Sequence, residues 1–493
     1  MIPLTLAEVA EATGGRLLDA DPSARVTGGV EFDSRKIGPG GLFVAFPGAQ
    51  VDGHDYAQAA IEAGAVAVLG TRPVRRGDAP APTADDATGV GPAGLPMIVV
   101  SDALTALARL ARTVLDRLPD LTVIGLTGSS GKTTTKDLIA QLTARLGPTV
   151  APAGSFNNEL GHPYTVLRAD ADTRFLVLEM GARGIGHIRH LCEVAPPRIG
   201  LVINVGVAHI GEFGSVEAIA TAKGELVEAL PADGVAVLNA DDPRVRAMAD
   251  RTRARVVLAG EHPQASVRAE QVAVDVRGRA TYQLVTPHGR APVQLAVTGR
   301  HQVGNSLLAA AVASELGLTD PVELATALGQ LGLVSTRRMD VFDRPDGVTV
   351  IDDSYNANPA STAAALRSLA DLGTGRRTFA VLGYLAELGD FEEEGHAEVG
   401  RLAAELGVHR LLVVGESAAP IHRAAAATAT WEGESVLVTD QQAAIELLRR
   451  ELTDGDVVLV KGSRYRTWDV ADALRDGTAV GPAAGAGAGE ATA

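Results

Sequence analysis

One cysteine, Cys192, stands in 493 residues. No intramolecular disulfide framework is possible, so stability must come from buried apolar cores. Long apolar runs are also missing. None reaches the ~20 residues that a membrane-spanning helix needs. The opening stretch MIPLTLAEVAEATGG carries Glu8 and Glu11 and has no basic segment before an apolar one. No signal peptide is read there, and a soluble cytoplasmic protein is the expectation. Basic charge is short as well. The net charge of −16 disfavours a general binder of nucleic acid or of anionic membranes. Small anionic substrates are still admissible, because a local site can be basic on an acidic protein.

Two residue types are scarce in an informative way. Only five lysines occur: Lys36, Lys132, Lys136, Lys223 and Lys461. Arginine does the remaining cationic work. A surviving lysine therefore marks a place that needs a compact ammonium, or an amine open to modification at nitrogen, which a guanidinium replaces poorly. Only seven asparagines occur: Asn157, Asn158, Asn204, Asn239, Asn305, Asn356 and Asn358.

Apolar clusters alternate with helical patterns along most of the chain, which predicts an α/β protein with parallel sheets. Its length suits two to four domains. Three regions separate. Residues 1–102 hold a helix at Leu6–Thr13, strands at Leu42–Phe46, Ala65–Leu69 and Met97–Val100, and a Pro/Ala/Gly/Asp-rich loop at Arg72–Pro92. Residues 103–334 open with a helix. Strands follow at Thr122–Leu126, Phe175–Met180, Ile199–Val205 and Val235–Asn239. Period-two alternation from Ala265 to Val297 predicts antiparallel strands, and a helix follows at Val303–Leu316. Residues 335–480 alternate again, with strands at Val348–Asp352, Thr378–Gly383, Leu411–Gly415, Ser435–Val438 and Val457–Lys461, as a small doubly wound domain does. The Ala/Gly-rich residues 481–493 read as a disordered tail.

The sharpest motif is Thr127-Gly-Ser-Ser-Gly-Lys-Thr133, between an apolar strand and a helix. Small residues let backbone N–H groups curl round phosphate oxygens, and the helix N-terminus adds partial positive charge. Lys132 supplies an ammonium for the β- and γ-phosphates, and the Thr133 hydroxyl suits a magnesium ion. The longer form of this loop would place glycine at Leu126. Downstream polar residues fall where strands end: Glu179 in LEMGARG, His209 in NVGVAHIGEFGS, and Asp352 and Asp353 in VIDDSYNANP. Carboxyl ends of parallel strands line ligand crevices. Lys223 lies on a predicted helix beside Glu225, and Asn305, in GRHQVGN, opens the helix Val303–Leu316.

Taken in order, TGSSGKTTT, EMGARG, NVGVAHIGEFGS, AKGEL, VLNADDP, GRHQVGN, DDSYNANP and VKGSR resemble the Mur ligases of peptidoglycan synthesis. DSRKIGPGGLFVAFPGAQVDGHDY, FNNELGHP and DDSYNANP are similar to the branch that adds D-alanyl-D-alanine. The resemblance implies three domains: a small α/β substrate-binding domain, a central P-loop parallel-sheet ATPase domain and a C-terminal Rossmann-like domain. It implies a ligase that uses ATP and Mg2+ to join D-alanyl-D-alanine to UDP-N-acetylmuramoyl-tripeptide through an acyl phosphate. A monomer is the expected form.

By position, the resemblance implies that Gly128, Ser129, Ser130, Gly131, Lys132, Thr133 and Thr134 cradle phosphates. Thr133 and Glu179 correspond to ligands of one magnesium, and His209 and Lys223 to ligands of a second. Lys223 corresponds to a lysine commonly N-carbamylated in the family. Asn305 corresponds to an adenine contact, and Arg338 and Asp353 to phosphate and ribose contacts. Ser34, Arg35, Asn157 and Asn158 correspond to contacts with the UDP-sugar. Two departures stand out: Tyr384, where an acidic residue is usual, and Tyr465-Arg466-Thr467-Trp468, where glycine usually follows VKGSR. Rival readings are a sister ligase for the third amino acid, a folate polyglutamate synthetase, and a nucleotide-driven switch.

Overall fold

A computed structural model describes residues 1–48, 51–77, 94–463 and 465–476. Most of the loop expected at Arg72–Pro92, and the whole of the tail expected at 481–493, lie outside the described residues. The chain divides into two compact units. One comprises Met1–Ile124, Gly147–Met180 and His190–Pro197; the other comprises Gly125–Leu146, Gly181–Arg189 and Arg198 onward.

In the first unit, the helix Leu6–Thr13 begins with a reciprocal capping box between Thr5 and Glu8 and stops at Gly14 in the left-handed region. A five-stranded sheet runs in the order Arg16–Leu18, Met97–Val99, Ala67–Gly70, Leu42–Val44, Val30–Glu31. Its first pair is antiparallel and the others are parallel. Phe43, Ala57, Ala60, Val68 and Met97 form its core. The strand expected to reach Phe46 ends at Val44. Pro47, close behind, has no N–H to continue a ladder.

In the second unit, Ile199–Val202, Val235–Asn239 and Arg255–Gly260 pair in parallel. Val267–Val274 joins them, then pairs antiparallel with Arg279–Thr286, which pairs antiparallel with Gly289–Thr298. The period-two alternation thus marks a real antiparallel extension. The helix Gln302–Glu315 is buried on almost every face, with Leu307, Leu308 and Val312 at its centre, and it packs on the helix Lys132–Ala144. Burying each such Leu or Val contributes about 1.5–3 kcal/mol.

A six-stranded sheet follows, in the order Asp340–Asp343, Thr349–Asp352, Val457–Lys461, Thr378–Leu382, Arg410–Val414, Glu434–Val438. All neighbours are parallel except the first pair. The strands expected near 348–352, 378–383, 411–415, 435–438 and 457–461 are all present. The antiparallel edge at Asp340–Asp343 was not foreseen, because its half-buried DVFD shows too little periodicity.

Candidate active site

The strand Thr122–Thr127 runs into Gly128–Gly131, and the helix starts at Lys132. Gly131 is the N-cap, at φ 80°, and no side chain caps the helix. A Cβ there would also come within 3.0 Å of Asn305 Oδ1. Glycine is therefore required twice, by conformation and by close approach. The uncapped first turn leaves backbone donors aimed out of the helix end.

Asn204 holds the loop in shape. Its Oδ1 accepts from the N–H groups of Ser129 and Ser130 at 2.9 and 3.0 Å, and its Nδ2 donates to the Ser130 carbonyl at 3.2 Å. Gly206 N–H donates to Ser129 Oγ at 2.9 Å. Asp242 accepts from Val205 N–H, and Asn239 donates to the Ile203 carbonyl. The motif alone did not reveal Asn204; the scarcity of asparagine was the available signal. Lys132 Nζ donates to the Gly128 carbonyl at 2.8 Å, folded back over its own loop.

Arg338 reaches the Thr133 hydroxyl at 3.3 Å, and its guanidinium lies 4.1 Å from the Tyr355 ring centre. Beyond it, Asp353 accepts from Met339 N–H at 3.1 Å and pairs with Lys461. Lys461 also donates to the Asn356 carbonyl at 2.9 Å. Arg338, Asp353, Thr133 and Asn305 are thus gathered round one loop within the second unit. The helix expected to begin at Val303 begins at Gln302, so Asn305 lies inside its first turn, bonded to Gln302 Oε1 at 2.9 Å, rather than opening it.

Lys223 is 3 % exposed on the helix Val216–Glu228. It is therefore not the surface residue that a lysine beside Glu225 ordinarily is. Glu225 is itself buried and accepts from the N–H groups of Gly186 and Arg189 at 2.5 and 3.0 Å. Lys223 has no hydrogen bond or ion pair among the described residues. Burial, then the like charge of Lys132, pushes its amine well below the ordinary lysine range.

His209 was expected at a strand end, and it is not at one. The strand stops at Val202, and His209 caps the short helix Ile210–Phe213 from the left-handed region at φ 62°. With Glu212 and Glu387 it forms a three-residue group able to hold a cation.

In the first unit, Glu179 ends the strand Phe175–Glu179, is buried, and accepts from Asn157 Nδ2 at 2.7 Å. Asn158 accepts from Gly161 N–H at 2.8 Å, so its carbonyl shapes the turn into the next helix. Ser34 is half-buried, and Arg35 is exposed and bridged to Asp33. Beside them is a cluster that sequence reasoning missed. Tyr164 donates to Glu31 at 3.0 Å, and its ring meets Phe32 and Phe156 at 5.0 and 5.6 Å. Burial, then Glu31, pushes the Tyr164 phenol up to about 12. The unusual Tyr384 donates to Glu392 at 2.9 Å and packs its ring on His396 and Tyr465.

A parallel sheet whose strand ends face an uncapped phosphate-type loop, joined by an arginine and a carboxylate from a second parallel sheet, defines a nucleotide-using α/β enzyme. Three family models match: Mur ligase family, catalytic domain, over 27–114; Mur ligase middle domain, over 126–313; and Mur ligase, glutamate ligase domain, over 337–464. A UDP-N-acetylmuramoyl-tripeptide–D-alanyl-D-alanine ligase of Mycobacterium leprae is 50 % identical across 94 % of this chain and 96 % of its own length. The Escherichia coli protein of that name is 34 % identical over the same shares. A crystal structure of MurF from Acinetobacter baumannii superposes with TM-score 0.81 at 28 % identity, covering 96 % of this chain and 99 % of that one. MurF ligase from Thermotoga maritima in complex with ADP gives 0.75 at 28 %, covering 92 % and 98 %. The chain belongs to the Mur ligase family, with its three-domain α/β fold.

Proposed function

We propose that this chain joins D-alanyl-D-alanine to the terminal carboxylate of UDP-N-acetylmuramoyl-tripeptide at the expense of ATP, in the cytoplasm and as a monomer. The observation that carries this reading is the 50 % identity, over nearly the whole length, to a relative named for that reaction. The fold alone serves several carboxylate–amine ligases. No helix among the described residues is long and apolar enough to cross a membrane. The domains are read as 1–102, 103–334 and 335–480, followed by the tail 481–493.

A carboxylate and an amine do not condense in water, so the carboxylate must first be activated. Its oxygen attacks the γ-phosphorus of ATP, the bond to the ADP oxygen breaks, and an acyl phosphate forms. The dipeptide amine then attacks the carbonyl carbon and loses a proton. The tetrahedral intermediate collapses by breaking the bond to phosphate, which leaves. Both steps concentrate negative charge, so the protein's task is positioning and neutralisation.

The N–H groups of Gly128–Thr134 cradle the phosphates. Lys132 exchanges the Gly128 carbonyl for a phosphate oxygen. Arg338 is poised at Thr133 for the same charge. Asn305, close behind Gly131, takes the adenine, and Asp353 the ribose. Ser34, Arg35, Asn157 and Asn158 bind the UDP-sugar.

The donor set fits magnesium. Thr133 and Glu179 offer a buried hydroxyl and a buried carboxylate. His209 offers an imidazole beside acidic groups. Lys223, buried without an acidic partner among the described residues, fits a lysine whose neutral amine adds carbon dioxide to become a carbamate, a cation turned into an anionic oxygen ligand. Bound magnesium supplies positive charge to the phosphates and the developing oxyanions. Phosphate release with UDP-N-acetylmuramoyl-tripeptide, measured with and without D-alanyl-D-alanine, tests the reading. Release should require the dipeptide; release indifferent to it would overturn the assignment.

A further inference from the structure

The loop after the strand Thr378–Leu382 docks on the segment that carries His209. Gly211 N–H donates to the Glu387 carbonyl at 3.3 Å. A Cβ on Gly211 would lie 2.5 Å from Gly389 N and 2.7 Å from its Cα, so backbone meets backbone there. Glu387 then places Oε2 at 2.5 Å from His209 Nδ1. Glu212 is farther away, at 3.8 Å. Arg183 stands 3.9 Å from both carboxylates. His209 and Glu387 both occupy the left-handed region, at φ 62° and 65°. That region is unfavourable for a residue with a Cβ. Two strained side-chain-bearing residues facing each other across a glycine–glycine contact indicate a juxtaposition that the fold enforces.

An imidazole that holds a metal through one nitrogen needs its other nitrogen fixed by a carboxylate or carbonyl. Nδ1 of His209 is buried and makes no aligned hydrogen bond, and Glu387 is the charge that faces it most closely. A proton on Nδ1, facing the Glu387 carboxylate, leaves the Nε2 lone pair for a cation. Glu387 is carried by the third-domain loop, not by the segment that carries His209. We propose that Glu387 is a positioning residue for His209, so that docking of this loop selects the His209 tautomer able to accept a divalent cation. The inference rests on the reading of His209 as a metal ligand. It adds that the third domain controls a ligand of the second.

The test uses the full chain with ADP and Mn2+ as the probe, reading free Mn2+ by electron paramagnetic resonance and the His209 tautomer by 15N correlation spectroscopy. Glu387→Ala should weaken one Mn2+ site by about 10–100-fold, the range for outer-shell partners, and release His209 into mixed tautomers. Glu387→Gln, which keeps an acceptor but no charge, should fall between Glu387→Ala and the unaltered chain, and Glu387→Asp should restore part of the affinity. The KM for the dipeptide should not move with the Mn2+ affinity. His209→Ala separates the two ideas. Loss of one Mn2+ site in that variant, with unchanged affinity and tautomer in Glu387→Ala, would overturn the positioning role alone. Two intact sites in His209→Ala would overturn both readings.

Discussion

Lys223 and Lys461 are both almost fully buried in the same unit, at 3 % and 2 % exposure. Their surroundings differ in one respect. Lys461, at the end of the strand Val457–Lys461, has the carboxylate of Asp353 and the carbonyl of Asn356. Lys223 has neither, and Lys132 adds a like charge. Burial pushes both amines below the ordinary range, but Asp353 opposes that push only at Lys461. A buried charge is tolerated when paired and becomes a neutral, reactive amine when it is not. Lys461 is therefore held as a paired charge, whereas Lys223 is left as the amine for which carbon dioxide addition is proposed.

The same substitution at the two sites should act with opposite sign. Lys223→Met keeps most of the volume. We expect turnover to fall by at least about 10²-fold, as when an electrostatic partner of the reacting phosphate is lost. We expect the melting temperature to hold or rise, because an unpaired buried amine is removed. Full turnover in this variant would remove Lys223 from the site. Lys461→Met should instead destabilise the chain by about 3–5 kcal/mol, since Asp353 is left as an uncompensated buried charge. Urea unfolding measures this, and the double variant Lys461→Met/Asp353→Leu should recover part of the loss. If Lys461→Met proved neutral, the distinction between paired and unpaired burial would collapse.

Asn204 tests pairing at the loop itself. Asn204→Ala leaves two loop N–H groups without their side-chain acceptor. A stability loss of about 1–3 kcal/mol is expected, with a raised KM for ATP. Full ATP affinity with lower stability would make Asn204 a brace for the fold only.

The smallest effect concerns His162, a fully buried base in the first unit whose ring nitrogens have no hydrogen-bond partner among the described residues. Burial, then His190, lowers it to about 3. Between pH 6.5 and about 3 the unfolded chain binds a proton there that the folded chain does not. Stability is therefore lost as pH falls through that window, at up to ~1.4 kcal/mol per pH unit. His162→Gln should flatten this acid limb and leave the slope above pH 7 unchanged. An identical slope would mean that a hidden partner holds the proton.

Much of the fold could be read from the chain because its strands are short apolar runs bounded by Gly, Pro and Asn. Val235–Asn239, Val457–Lys461 and the start of the helix at Lys132 match residue for residue. Ends went astray where side chains replace ladder bonds. The strand read as reaching Val205 stops at Val202, and Asn239 takes the Ile203 carbonyl. The scarce residues were good markers. Three of the five lysines are buried, the third being Lys136 beside Asp137. Asn157, Asn204, Asn239, Asn305 and Asn358 each bind a backbone group or a polar side chain. The Tyr164–Glu31 pair escaped notice because the two residues lie 133 positions apart in the chain.

The sequence by itself determined the alternation of strand and helix, the shortened phosphate loop with its glycines, and the rationing of lysine and asparagine. Each of these is local, set by backbone freedom, periodicity or the chemistry of one side chain. Tertiary structure decided which ionisable groups find a partner. Lys223 and Lys461 are each one letter in the chain. Only packing places Asp353 against Lys461 and leaves Lys223 without a carboxylate among the described residues, and only packing brings Glu387 to His209. Charge in a low-dielectric interior is governed by distances between residues far apart in sequence, which no local pattern encodes.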